Sequence, residues 1–202
     1  MENSVNKPGK LQDTVLTGMF AALIVVCSWI QIPAAVPFTL QTFAVFLAVG
    51  LLGGKRGTIA VLIYILLGAI GLPVFSGFKG GIGALLGTTG GYIIGFVFAA
   101  LTMWLLNGVR PHKKSINKSL EKFNGVRPLL GMVAGLIVCY AFGTAWFVIV
   151  YTNTKEPIGI LTALTWCVFP FIIPDVIKII LAMALTRKLK RYLMGSDPIK
   201  KV

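Results

Sequence analysis

Two oppositely charged residues, Asp175 and Lys178, lie inside an apolar stretch of this 202-residue chain, residues 170–181 (PFIIPDVIKIIL). An ionised side chain at the centre of a bilayer costs at least about 2.5 kcal/mol, so such residues usually face a bundle interior or a watery cavity. A spacing of three places both side chains on one face of a helix. Pro174 suits the start of that helix, because a first-turn residue needs no N–H. The pair is either an internal ion pair that fixes helix packing or two opposite hydrogen-bonding groups for a polar ligand.

Other chemistry has little support in the sequence. Ser76 is the one tempting nucleophile, but the single histidine, His112, is predicted to lie on the other side of a membrane. Asp175 has no second acid or histidine near it in sequence, which disfavours a metal site. There is no Gly-x-x-x-x-Gly-Lys-Ser/Thr motif, so ATP hydrolysis would have to come from another chain. The three cysteines have no Cys-x-x-Cys spacing and are predicted to be buried, inert thiols: Cys27, Cys139 and Cys167.

Binding is the chemistry that remains. A carboxylate beside an ammonium, near a glycine-rich loop and aromatic side chains, suits a small ligand with a polar head and an apolar body. The aromatic candidates are Phe75, Tyr92 and Trp146. Each of them, taken singly, also fits a role in packing or in anchoring at the membrane interface.

The composition indicates the environment in which these residues act. Hydrophobic residues make up 56% of the chain and charged residues 12%, and the mean hydropathy is +0.87, whereas a soluble domain has about a quarter charged residues. The chain is therefore predicted to be an integral membrane protein with room for about six spans. The formal charge of +13 does not indicate a nucleic-acid partner, because the basic residues lie between hydrophobic segments.

The hydrophobic segments predict six spans and one short external helix at 159–168. Two of the spans have only 13 residues, which reach about 20 Å against a hydrocarbon core of roughly 30 Å. These helices are too short to cross the membrane alone. The predicted spans are residues 15–32, 40–52, 58–70, 92–106, 129–151 and from about 171 into the basic tail, with a proline-containing linker at 33–38.

The segment from 71 to 90 must make up the shortfall at one end of the short spans. It is rich in glycine yet apolar, and irregular backbone at membrane depth is tolerated only where protein buries it or where it lines a cavity. We therefore predict that this segment dips inward. A flexible surface lid without ligand contact is the alternative.

Basic residues predict the orientation. All but three of the 19 lysines and arginines fall on one side of this layout, as expected for cytoplasmic loops. The exceptions are Lys79 and Lys155 outside and Lys178 within the membrane. Both termini are therefore predicted to be cytoplasmic.

Three parts of the chain follow from this layout. Residues 1–14 form a cytoplasmic N-terminal segment, residues 15–193 a transmembrane substrate-binding domain, and residues 194–202 a cytoplasmic tail. Within the first span, Gly18 and Ala22 form a small-xxx-small pattern that lets another helix approach closely, either in the bundle or on a partner protein.

Four runs of sequence carry a resemblance to a known family. They are residues 36–45 (VPFTLQTFAV), 68–75 (GAIGLPVF), 89–96 (TGGYIIGF) and 174–178 (PDVIK). Together they closely resemble the BioY family, the biotin-binding S components of energy-coupling factor (ECF) vitamin transporters, over residues 15–193. Members of that family often have proline where this chain has Thr88, and commonly glycine where it has Pro174.

The resemblance implies an all-α integral membrane protein, a six-transmembrane-helix bundle of the ECF S-component type with inward-dipping extracellular loops. It also implies biotin as the ligand near the outer face, with no cofactor and no metal. Asp175 and Lys178 correspond to the family's biotin-contacting acid and base, and Gln41, within the first run, is counted with the candidate site. Lys79 is either a partner for the biotin carboxylate or a solvated lysine of the loop.

The family also implies partners and a location. Gly18 and Ala22 correspond to a motif that docks on a transmembrane coupling protein, and two cytoplasmic ATPases supply ATP hydrolysis. The protein is then a multi-pass protein of a bacterial cell membrane. Three alternatives stay open: an S component for another small vitamin, an intramembrane enzyme with Asp175 as base, and a structural subunit without a ligand.

Overall fold

The computed structural model describes residues 10–34, 36–107 and 126–195, and this part of the chain is mostly helical. A two-stranded antiparallel hairpin, with Gln31 opposite Thr39, interrupts the helices. The elements are α1 (Lys10–Trp29), β1 (Gln31–Ile32), β2 (Phe38–Thr39), α2 (Gln41–Leu52), α3 (Gly54–Ala69), α4 (Ile82–Leu86), α5 (Gly90–Asn107), α6 (Val126–Thr154), α7 (Ile160–Cys167) and α8 (Phe169–Gly195).

Four stretches of the described chain are long and apolar enough to cross a membrane. They are residues 11–29, 90–107, 126–154 and 160–190, the last of which contains α7 and most of α8. Helix α2 has 12 residues and α3 has 16, which gives them lengths of about 18 and 24 Å. The shortness predicted for this pair is confirmed, and the count of six crossings stays a prediction.

Close helix packing depends on glycine at a few positions. In the pair formed by α5 and α6, Gly143 faces the ring of Tyr92, where a Cβ would lie 2.3 Å from the ring. In the pair formed by α2 and α8, a Cβ at Gly50 would lie 2.8 Å from the hydroxyl oxygen of Thr186. Both distances are shorter than van der Waals contact, so these helices approach one another as they do only because the side chains are absent.

Several predicted boundaries were wrong, among them the end of the first span at residue 32, since α1 ends at Trp29. Helix α3 begins at Gly54 and not near residue 58, since only Gly53, with φ +83°, separates it from α2. The ion pair between Arg56 and Asp13 of α1 fixes this turn. The hairpin was missed because two-residue strands leave no alternating pattern in the sequence.

Pro174 does not begin its helix. Helix α8 starts at Phe169, so Pro170 occupies the first turn and Pro174 lies inside the helix. Pro174 has no N–H to donate to the carbonyl of Pro170, which leaves one helical hydrogen bond unmade. Pro170, four residues earlier, takes the first-turn position that was predicted for Pro174.

The segment between α3 and α5, residues 70–89, is called the lid below. Phe75 pairs with Lys79 in a short bridge, and the Phe75 side chain is 1% exposed and lies edge-on to Tyr64 at 5.5 Å between ring centroids. A Cβ at Gly68 would lie 1.9 Å from the Phe75 ring. The inward dip predicted for this segment is therefore present at Phe75.

Candidate functional site

Asp175 and Lys178 form a buried ion pair on one face of α8, as their spacing predicted. The Nζ atom of Lys178 lies 2.7 Å from Oδ1 of Asp175. Asp175 is 2% exposed and Lys178 is 4% exposed. Because such charges are costly to bury alone, the other contacts of each partner decide whether they serve only one another.

The hairpin supplies the second partner of Lys178. The ammonium donates to the backbone carbonyl of Thr39 at 2.6 Å and lies 4.0 Å from the centroid of the Phe38 ring. An ammonium has three N–H donors, of which the carboxylate and the carbonyl take two. Lys178 therefore retains donor capacity after these two contacts.

Helix α6 supplies the second partner of Asp175. The hydroxyl of Tyr140 donates to Oδ2, the oxygen that Lys178 does not contact. Sequence reasoning missed Tyr140. Its only signal was a hydroxyl-bearing residue in the middle of an apolar run, one of several such residues in α6.

A cavity of about 600 Å³ lies beside the ion pair. Its volume is within the usual range for small-molecule sites. The wall is built by α2, α5, α6, α7, α8, the lid and the chain around β2. It includes Tyr140 and Cys167 and six of the residues proposed from the sequence: Gln41, Phe75, Lys79, Tyr92, Asp175 and Lys178. The pair therefore neither points into lipid nor sits in a sealed core.

Two polar residues of the wall are already hydrogen-bonded. Gln41 donates through Nε2 to the hydroxyl of Tyr64 and accepts from the Thr39 hydroxyl at 3.1 Å. The Tyr92 hydroxyl lies 2.8 Å from that of Thr144. Both side chains are thereby held in place at the cavity.

Lys79 differs from these residues. It is an exposed residue of the lid that lines the cavity, and within the described ranges no acidic side chain lies within ion-pair distance of it. The wall thus carries one acid and two bases, Asp175 with Lys178 and Lys79. An anionic group on a ligand suits this balance.

Trp146, predicted on the basis of its aromatic ring, lies outside the cavity wall in the described structure. Its indole N–H donates to the carbonyl of Gly87 at 3.0 Å, and its side chain packs against Gly91. Trp146 therefore holds the second end of the lid where it enters α5.

Gly18 and Ala22 lie on an exposed face of α1. A Cβ built at Gly18 meets no atom within 4 Å among the described residues. Met19 and Val26 are also exposed there. The small residues thus do not pack within the described bundle.

Nucleophilic and metal chemistry gain no support from the geometry. Ser76 donates its hydroxyl to the side-chain oxygen of Gln31. Among the residues that the structure describes, no three His, Cys, Asp or Glu side chains are close enough to hold a metal ion.

Comparisons with known proteins extend over nearly the whole chain. A family profile described as the BioY family matches residues 1–195. The "Biotin transporter BioY" of Thermotoga maritima is 43% identical over 182 residues, which cover 90% of this chain and 97% of that protein. The "Probable biotin transporter BioY" of Pyrococcus horikoshii is 37% identical over 182 residues, with coverage of 90% and 98%.

A solved structure has the same fold. It is described as the S-component for biotin from an ECF-type ABC transporter, and it superimposes with a TM-score of 0.76 at 29% sequence identity. The match covers 93% of this chain and 95% of that chain.

Proposed function

Because the chain belongs to the BioY family, we propose that it is the biotin-capturing S component of an ECF-type uptake transporter. It is a transport protein and not an enzyme. The observation that carries the proposal is the Asp175–Lys178 pair on the wall of a 600 Å³ cavity.

The ureido ring of biotin matches this pair chemically. One edge of the ring presents an N–H donor beside a carbonyl acceptor, and Asp175 and Lys178 present an acceptor beside a donor. Charge-assisted hydrogen bonds of this kind are about twice as strong as neutral ones. The apolar ring and the valeryl chain would then lie against Phe75 and Tyr92.

Lys79 is proposed to contact the biotin carboxylate. Lys79 lines the cavity from the lid, a different element from α8, and has no acidic partner within ion-pair distance in the described part of the protein. A ligand with a polar group at each end fits a cavity with charges on two separate elements. Gln41 would hold the part of the cavity wall beside Thr39 in place without adding a charge.

Six membrane crossings are proposed, by α1, α2, α3, α5, α6 and α8. The hairpin and the lid adjoin the ends of α2 and α3, where they would fill the depth that these short helices do not span. Both termini are placed in the cytoplasm because of the asymmetry of the basic residues. Residues 15–193 would then form the membrane domain of a bacterial cell-membrane protein.

The partners are proposed to be a transmembrane coupling protein and two cytoplasmic ATPases. The exposed Gly18–Ala22 face of α1 supports docking of a helix, since small residues allow two backbones to approach closely. ATP hydrolysis would come from those partners.

Biotin binding to the purified protein in detergent tests the function. We expect saturable binding of one biotin per chain, with a rise in unfolding temperature that depends on biotin concentration. A panel of unlabelled vitamins supplies the control, and only biotin and its close analogues should compete. Preference for another vitamin, or no stabilisation by any of them, would contradict the proposal.

A further inference from the structure

We infer that Tyr140 is a positioning residue of this site, whose hydroxyl holds the Asp175 carboxylate in the orientation that receives a ligand N–H. The inference rests on the proposed function and adds to it a residue on a different helix from the ion pair.

The two oxygens of Asp175 are fixed from two helices. Lys178 of α8 contacts Oδ1 at 2.7 Å, and the Tyr140 hydroxyl of α6 donates to Oδ2. Each carboxylate oxygen accepts at two lone-pair sites, so one site on each oxygen remains. Asp175 and Tyr140 both line the cavity, which places these remaining acceptor sites beside the ligand space.

The tyrosine opposes a competing arrangement. Asp175 and Lys178 are neighbours on one helix, and a carboxylate held only by that lysine is free to rotate and offer both oxygens to the ammonium. That rotation would satisfy the pair internally and turn its acceptors away from a ligand. A hydrogen bond from α6 to the second oxygen stabilises the orientation in which the oxygens have different partners.

The tyrosine ring alone does not provide this function. The ring fills space in the wall, and phenylalanine would fill the same space. The hydroxyl alone contacts the carboxylate, so Tyr140→Phe separates the positioning role from packing.

Biotin affinity of Tyr140→Phe tests the inference. We expect a loss of about tenfold in affinity, because the carboxylate is no longer held in one orientation, and also a lower unfolding temperature of the ligand-free protein, because a buried carboxylate oxygen loses its donor. Tyr151→Phe is the matched control, because Tyr151 is also on α6 but its ring stacks on Phe147 and lies outside the cavity wall. The control should bind biotin as the parent does.

A double-mutant cycle with Asp175→Asn shows whether Tyr140 affects biotin affinity through the Asp175 carboxylate. If Tyr140 acts through the carboxylate, adding Tyr140→Phe to Asp175→Asn should cost less than about threefold, because no carboxylate is left to position. Measurements at roughly millimolar biotin keep binding visible after large losses.

The outcomes separate the inference from the proposed function. An unchanged affinity for Tyr140→Phe, or the same tenfold loss in the presence and absence of Asp175, would overturn the positioning role while the parent still binds biotin. A parent that binds no biotin would overturn the proposed function and this inference together. A fall in ligand-free stability with an unchanged affinity for biotin would assign Tyr140 to the stability of the bundle alone.

Discussion

The wall that carries the ion pair and the lid differ in how they are held. On the charged wall, Asp175 and Lys178 are almost fully buried and each has two hydrogen-bonding partners, on α8, α6 and β2. The lid is rich in glycine, and an indole N–H donates to it near each end, beside other hydrogen bonds such as those from the Ser28 hydroxyl to the Val74 carbonyl and from the Gly81 N–H to the Gly68 carbonyl. Trp29 donates to the Pro73 carbonyl and Trp146 to the Gly87 carbonyl, each at 3.0 Å.

The lid also has an exposed tip. Phe78 is 65% exposed, has a positive φ of 56° and stacks on Trp29 at 5.1 Å between ring centroids. Phe75 anchors the lid in the core, but the remainder has few buried apolar side chains. Segments of this kind open at low free-energy cost. The difference suggests a division of labour, in which the charged wall sets affinity and the lid sets the rate of exchange.

The largest effect should come from the charged wall. Asp175→Asn should weaken biotin binding by about a hundredfold or more, because it removes a charge that the ligand would contact and leaves Lys178 buried without its counter-ion. Isothermal titration in detergent measures the change. An affinity within twofold of the parent would show that Asp175 is not part of the site. The charged wall would then not set the affinity, contrary to the comparison with the lid.

A smaller effect is expected for the charged residue of the lid. Lys79→Gln should weaken biotin binding by about tenfold through loss of a charge-assisted contact with the carboxylate. The variant should also bind biotin and its amide, which lacks that carboxylate, with similar affinity. Lys155→Gln is the matched control, since Lys155 lies over the Tyr151 ring and not on the cavity wall. A parent that binds the amide as tightly as biotin would count against this contact.

Trp146, which holds the second end of the lid, should affect the rate of biotin dissociation more than the association rate. Trp146→Phe removes the hydrogen bond to Gly87 and keeps an aromatic ring, so biotin should dissociate about threefold faster with a similar association rate. Stopped-flow displacement of a fluorescent biotin analogue gives both rates. Trp166→Phe serves as control because its indole is partly exposed and meets the Tyr151 ring edge-on. Slower association instead of faster dissociation would show that Trp146 guides entry.

The smallest effect on biotin binding is expected for a substitution far from both the charged wall and the lid. Gly18→Leu should leave biotin affinity unchanged, because a side chain there meets nothing in the described structure. Uptake of labelled biotin by cells that contain the coupling partners should fall sharply, since a bulky residue separates the docking helices. Ala141→Leu, at an exposed position of α6, controls for added bulk. Unimpaired uptake by Gly18→Leu would place the docking surface elsewhere.

The sequence predicted the charged pair better than the groups that hydrogen-bond to it. A charge pair in an apolar run is conspicuous, and its spacing placed both groups on one helix face. Tyr140 was missed because one tyrosine in an apolar helix does not show which way it faces. The Thr39 carbonyl was missed because a backbone acceptor leaves no residue signature.

Some helix boundaries were predicted well and others were not. Long apolar runs located α5 and α6 to within a few residues. Glycines hid the start of α3, because their weak helix preference does not indicate that the helix begins at Gly54. Pro174 was misplaced because a proline suits a first helical turn, whereas the helix begins five residues earlier, at Phe169.

The contact between Lys178 and the Thr39 carbonyl has a consequence for comparing relatives. A peptide oxygen is present whatever residue occupies position 39, so this support persists through changes of side chain that an alignment would record as divergence. A substitution scan would likewise underrate the position. Only a change in the backbone path, such as an added or deleted residue between β1 and β2, would move the carbonyl oxygen of residue 39 away from the Lys178 ammonium.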